Sequence, residues 1–169
     1  MLTFASVGTS SSALTIRSRH IISKEVDGQM AVPVYKRSVP KLQVIIDAME
    51  LAAYTIQVTK NPKVFDPLYN TAITNDIIST AKDIYISAWT ANNIMVRSDG
   101  DLYRKRREYQ TNAILQCNNL LALIQLAQKI FHFRTKRLGF WASKIIGTRS
   151  ILQAWKESDA NRYGHLLKK

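Results

Sequence analysis

The chain is poor in the residues that staple, punctuate or catalyse. It has one cysteine, so no disulfide can form within it, and Cys117 falls on an apolar helical face where it reads as a small core residue. Four prolines and six glycines in 169 residues leave long stretches without a helix breaker. The three histidines, His20, His132 and His165, stand apart from any second ligand at metal spacing. There is no Glu-x-x-His pair of the kind that holds two metal ions in a helical bundle. No glycine-rich phosphate loop and no nucleophile motif is framed, and no apolar run has the length of a membrane span. The expectation is a non-enzymatic protein with no catalytic residue, metal, cofactor or membrane segment.

Acids are scarce too. Twelve Asp and Glu face twenty-four Lys and Arg, giving a net charge of +12 and a pI near 10.0. A hydrophobic fraction of 46% is ordinary for a folded domain and argues against disorder throughout. Such a balance points to nucleic acid, an anionic surface or an acidic protein as partner. The charge is uneven: residues 1–100 hold ten cations and eight acids, whereas residues 101–169 hold fourteen and four.

The basic half contains the longest helical pattern. From Asp101 to Phe131 there is neither proline nor glycine, and Ala113, Cys117, Leu120, Leu121, Ile124, Ala127 and Phe131 recur at helical steps. Asp101 is a candidate N-cap. The run Arg104, Lys105, Arg106 and Arg107 follows it, where the positive end of the helix dipole penalises cations by some tenths of a kcal/mol each. The run reads either as a solvated face or as a polyanion contact. A helix of this length needs partners along its stripe.

Three more helical patterns supply them. Pro40 to about Thr59 carries Leu42, Ile45, Ile46, Met49, Ala52, Ala53 and Ile56, with Ser38 as a cap candidate. Asn61-Pro62-Lys63 and Asp66-Pro67 then mark a connection whose Val64 and Phe65 can tuck against the end of the helices. Thr71 to Arg97 carries Ile73, Ile77, Ala81, Ile84, Ala88, Ala91 and Met95, and ends at a turn whose Gly100 suits a helix stop. After a turn at 131–135, with Thr135 as a cap candidate, Leu138, Trp141, Ile145, Thr148, Leu152 and Trp155 step by three and four, and the pattern fades after Glu157. Four helices, short turns and no strand signal predict an all-α, antiparallel up-down-up-down four-helix bundle over 35–163. A flexible extension (1–34) precedes it and a basic tail (164–169) follows. The extension is Ser-rich and acid-poor, which reads as a loose arm, as sequence ahead of a start at Met30, or as a transit peptide.

In that topology one pole gathers Lys36, Arg37, Lys41, Arg97, Arg104, Lys105, Arg106, Arg107, Lys156 and Arg162. The other holds Lys60, Lys63, Arg134, Lys136 and Arg137, and Lys144 and Arg149 extend the basic character along the last helix. The nucleic-acid-binding candidates are Lys36, Arg37, Arg104, Lys105, Arg106, Arg107, Arg134, Lys136, Arg137, Lys144, Arg149 and Arg162. Tyr103, Tyr109 and Tyr163 nearby can stack on bases or simply pack. Trp141 and Trp155 read as core.

Several segments add a resemblance. Tyr35-Lys36-Arg37-Ser38-Val39-Pro40, Glu108-Tyr109-Gln110, Leu120-Leu121-Ala122-Leu123, Lys136-Arg137 with Trp141, and Ala154-Trp155 with Glu157-Ser158-Asp159-Ala160-Asn161-Arg162-Tyr163 resemble the accessory variability determinants of bacterial diversity-generating retroelements. The likeness spans about Val34 to Tyr163, and the first thirty-odd residues fall outside it. It implies a cytoplasmic, bacterial or phage-encoded protein that forms a basic ring-like homopentamer, binds the element's reverse transcriptase and its template RNA or cDNA, and has no catalytic residues. Related bundles encoded in intervening sequences of 23S ribosomal RNA are a near neighbour in fold. Two other readings remain open: a structural or protein-interaction bundle docking an acidic partner, and a mitochondrial bundle with a cleaved leader. Tyr85, Trp89 and Ile78 beside the second helix's core line add an expectation of self-association.

Overall fold

A computed structural model describes the backbone of residues 39–167 and the side chains of residues 43–167. The expected extension, Lys36 and Arg37 lie outside those descriptions, as do the side chains of Lys41 and Leu42. Among the described residues there are four α-helices and no strand: α1 (Val39–Thr59), α2 (Asn75–Asn93), α3 (Gly100–Phe131) and α4 (Thr135–Tyr163). Each helix packs on its neighbours in the chain, and α1 also packs on α4.

Two helices display the heptad logic of their sequence. On α3, Tyr103, Arg106, Gln110, Ala113, Cys117, Leu120, Ile124 and Ala127 are buried, at alternating steps of three and four. On α4, Trp141, Ile145, Thr148, Leu152, Trp155 and Asp159 repeat the rhythm. Trp141 is fully buried and donates its indole N–H to Thr55 Oγ1 at 3.1 Å. Phe65, from the α1–α2 connection, is buried against Phe131, Phe133 and Trp141 with ring centroids 4.8, 5.8 and 6.3 Å away. Truncating a buried aromatic of this kind costs about 3–5 kcal/mol.

The helix boundaries correct several expectations. Asp99 caps α3, accepting from the N–H groups of Asp101 (2.8 Å) and Leu102 (3.2 Å), so Asp101 lies inside the helix. Gly100 therefore opens α3 and does not close α2. A Cβ on it would lie 2.8 Å from the Leu166 carbonyl oxygen, so the close approach of that carbonyl requires glycine. His132 ends α3 in the left-handed region at φ 52°, its N–H bonded to Gln128 O. α2 is shorter than expected. A 3-10 turn (Pro67–Tyr69) and a π-turn (Asn70–Thr74) lead into it, and the chain leaves it extended at Ile94. Met95 is accordingly 74% exposed, and Val96 is buried instead. Thr135 is the first residue of α4, not its cap; Arg134 holds the cap position without a side-chain bond. α4 runs past Glu157 to Tyr163, and a 3-10 turn, Gly164–Leu167, occupies most of the supposed tail and touches the start of α3.

The α1 stripe is rotated from the expected one. Val44, Ile45, Ala48, Leu51, Ala52, Thr55 and Thr59 are buried, while Met49 and Ile56 are 47% and 40% exposed. α1 is apolar most of the way round, so its pattern offered two faces and the partner helices selected one.

Candidate nucleic-acid interface

Successive residues on a helix point about 100° apart. Four adjacent cations therefore cannot form one patch, and the Arg104–Arg107 run is split four ways. Arg106 falls on the buried seam, with its side chain 3% exposed. Its Nε donates to Asp159 Oδ2 at 2.7 Å, its Nη1 donates to the Ile94 carbonyl at 3.0 Å, and its guanidinium stacks 5.1 Å from the Trp155 ring centroid. Gln110 Nε2 donates to the same Asp159 oxygen at 2.8 Å. Arg106 is thus an internal clamp joining α3, α4 and the end of α2, and not the phosphate contact expected. Arg104 is exposed and paired with Asp101, an i,i+3 surface pair worth little. Lys105 and Arg107 are exposed.

The dipole argument moves with these boundaries. The macrodipole penalty fades beyond the first turn. Because α3 opens at Gly100 with Asp101 in its first turn, the cations of the run escape most of it. α4 is the helix that carries the conflict: Arg134, Lys136 and Arg137 are exposed at its start and its first turn contains no acid.

Two edges of α4 differ in chemistry. Towards α1, the Lys144 ammonium lies 5.7 and 5.6 Å from the Tyr54 and Phe140 ring centroids. Beside it, Asp47, Glu50, Thr148 and Ile151 help line a cleft of about 170 Å³. Burial raises the Tyr54 phenol above its usual pKa, and the Arg137 charge partly offsets this. Towards α3, Arg107, Gln153, Lys156, Ile114, Glu157 and Ala160 line a cleft of about 320 Å³. Further along that edge, Arg149 Nη1 donates to Asn118 Oδ1 at 2.7 Å. Burial pushes the Cys117 thiol up to about 12, against a smaller opposing pull from Arg149. Lys156 and Gln153, absent from the expected binding set, thus converge on Arg107. Their signal in the sequence was the fixed spacing of 149, 153 and 156 on one helix edge.

Charge is also divided between helix pairs. α3 and α4 carry eleven cations and four acids, whereas α1 and α2 carry two and four. Among the described residues, only Arg104 and Arg106 form ion pairs with acids. Tyr103 is buried against Tyr163, at 5.7 Å, so it cannot stack on a base. Tyr109 and Tyr163 are half-buried, and the Arg162 guanidinium lies 5.8 Å from the Tyr163 ring centroid. No group of three or more potential metal ligands occurs among the described residues, and no helix there is long and apolar enough to cross a membrane. Comparison with protein-family models, curated proteins and solved structures finds no match to this chain.

Proposed function

We propose that this protein is a non-enzymatic, nucleic-acid-binding accessory subunit that associates with a reverse transcriptase and its template RNA or cDNA, as the resemblance to retroelement accessory proteins implies. The observation that carries the binding role is the concentration of cations on α3 and α4 with so few answered by acids. Such a surface repels itself in the free protein, and phosphates relieve the repulsion while releasing counterions.

The framework for this role is an antiparallel up-down-up-down bundle. Residue pairings support it: Asn112 with Ser87 and Arg106 with Ile94, Arg106 with Asp159 and Arg149 with Asn118, and Trp141 with Thr55. In each helix pair, a later residue on one helix meets an earlier residue on the other.

Self-association belongs to the same reading. Met49 and Ile56 on α1 and Ile86 and Trp89 on α2 are 47%, 40%, 54% and 49% exposed and offer apolar side chains to a second copy. Exposed apolar side chains also stand on α3 and α4, among them Leu126 and Phe140, but α1 and α2 are poorer in cations, so copies can meet there without confronting the basic helices.

Filter retention of a labelled RNA at about 50 and 200 mM salt tests the binding role. Retention that falls steeply with salt is expected, together with co-purification of RNA and of a co-expressed reverse transcriptase. A protein that retains no RNA at the lower salt refutes the reading.

A further inference from the structure

The two edges of α4 make it possible to say where a polynucleotide lies and in what form. The inference rests on the nucleic-acid-binding reading above and narrows it. On the α1 edge, Lys144 is already engaged by Tyr54 and Phe140, and Asp47 and Glu50 face the same cleft. A phosphate there would meet two carboxylates. On the α3 edge, Arg107 and Lys156 converge on one cleft with Gln153 as a neutral donor, and Glu157 is the only acid among its lining residues. Arg149, steadied by Asn118, continues the same edge.

The spacing suits one backbone, and the arrangement around it decides the form of the ligand. Arg149 and Lys156 are seven residues apart on α4, about 10 Å along the axis at 1.5 Å per residue. That interval spans about three nucleotides of a stacked strand at 3.4 Å per charge. Arg149 and Lys156 stand in file on the α4 side of the groove, with Arg107 opposite Lys156 on the α3 side, where together they can follow one backbone. A duplex would need a second row to meet its other strand. Apolar surface borders the row: Ile114 lines the cleft, and Ile146, one helical step before Arg149 on α4, is 44% exposed. Unpaired bases can rest on such surface, whereas paired bases are turned inward. Half-buried Tyr163, one turn beyond Ala160 of the cleft, stands at the end of the row.

We infer that the α3–α4 groove, through Arg107, Lys156, Arg149 and Gln153, is a binding track for the backbone of a single-stranded polynucleotide.

The test compares two triple substitutions with the same loss of charge in the full chain. Arg107→Gln/Arg149→Gln/Lys156→Gln removes the track, and Lys136→Gln/Arg137→Gln/Lys144→Gln alters the other edge. Because Arg149 also bonds Asn118, the double variant Arg107→Gln/Lys156→Gln is measured beside them. The probes are a labelled oligouridylate of about 20 nucleotides and an RNA duplex of equal length, titrated at two salt concentrations. The unaltered protein should prefer the single strand. The track triple should lose about tenfold or more in affinity, and its salt slope should fall by about 2, the value for three phosphate contacts on a single strand. The double variant should lose a slope of about 1.4. The other triple should lose less than about threefold. Equal losses in both triples overturn the track, and tighter binding of the duplex overturns the single-strand assignment. Failure of the unaltered protein to bind either probe instead overturns the nucleic-acid-binding role itself.

Discussion

Removing the carboxylate of Asp159 should damage this protein more than removing any exposed charge. Asp159 and Arg106 are 2% and 3% exposed at the side chain, and their contact links residues 53 apart. In Asp159→Ala the guanidinium keeps its bond to the Ile94 carbonyl and its place by Trp155, but stays buried without a counter-charge. Gln110 Nε2 loses its acceptor in the same step. Breaking a buried pair from one side costs about 3–5 kcal/mol. For a domain of this size, each kcal/mol moves the melting temperature by about 2–4 °C, so a fall of about 6–20 °C is expected. Replacing both partners has a different outcome. Arg106 Nη2 and Gln110 Oε1 find no partner among the described residues, so this polar layer carries a desolvation cost that an apolar layer avoids. Arg106→Met/Asp159→Leu should therefore melt well above Asp159→Ala, within about 1–2 kcal/mol of the parent. Urea melts of the parent, Arg106→Met, Asp159→Leu and the double variant complete a thermodynamic cycle. The clamp is refuted if Asp159→Ala costs less than about 1 kcal/mol, or if the two single costs simply add.

Four other outcomes follow from the same geometry. Gly100→Ala should lower the melting temperature, because its new methyl group meets the Leu166 carbonyl and the closing 3-10 turn must shift; an unchanged melt contradicts that contact. Gly147→Ala has open space around it and should stabilise α4 by up to about 1 kcal/mol in the same assay; a loss would mean the glycine has an unseen task. The Cys117 thiol should resist a thiol reagent at pH 8 until urea is added. Its folded pKa is raised from 9.0 to about 12, so its contribution to stability is complete below pH 9 and is lost as pH rises towards 12; rapid labelling of the native protein would contradict its burial. Trp89→Lys with Met49→Lys should shift light-scattering mass towards the monomer, and an unchanged multimer would acquit the α1–α2 surface.

The four helices were legible because three of their stripes keep strict steps of three and four. The Phe65 plug was legible as well, as an aromatic in a proline-bounded connection. What the sequence hid lies mostly where a seam continues through polar residues. The α3 stripe extends one step back from Ala113 to Gln110, then to Arg106 and Tyr103, and the α4 stripe extends one step on from Trp155 to Asp159. Read by hydrophobicity alone, each stripe stops short; read by spacing, the two polar ends face one another. The α1 face was hidden for the opposite reason, since Met49 and Ile56 match a helical stripe as well as Ala48 and Thr55 do. The pole-centred charge map failed at Arg106, because periodicity assigns a side chain to a helix face whatever its charge. Arg107 and Lys156 share a cleft only through the pairing of α3 with α4, which no local pattern contains.

The unequal loading of the two helix pairs also bears on speed. Four helices with their positive charge gathered on one pair have a strong permanent dipole, so a distant polyanion turns them before the two touch. In dilute buffer that torque reaches tens of ångströms; near 0.15 M salt it dies away within about 8 Å. If the proposed nucleic-acid-binding role holds, capture of a strand should be fast and correctly oriented in dilute buffer, and slower near 0.15 M salt, where more of the first collisions meet the wrong side.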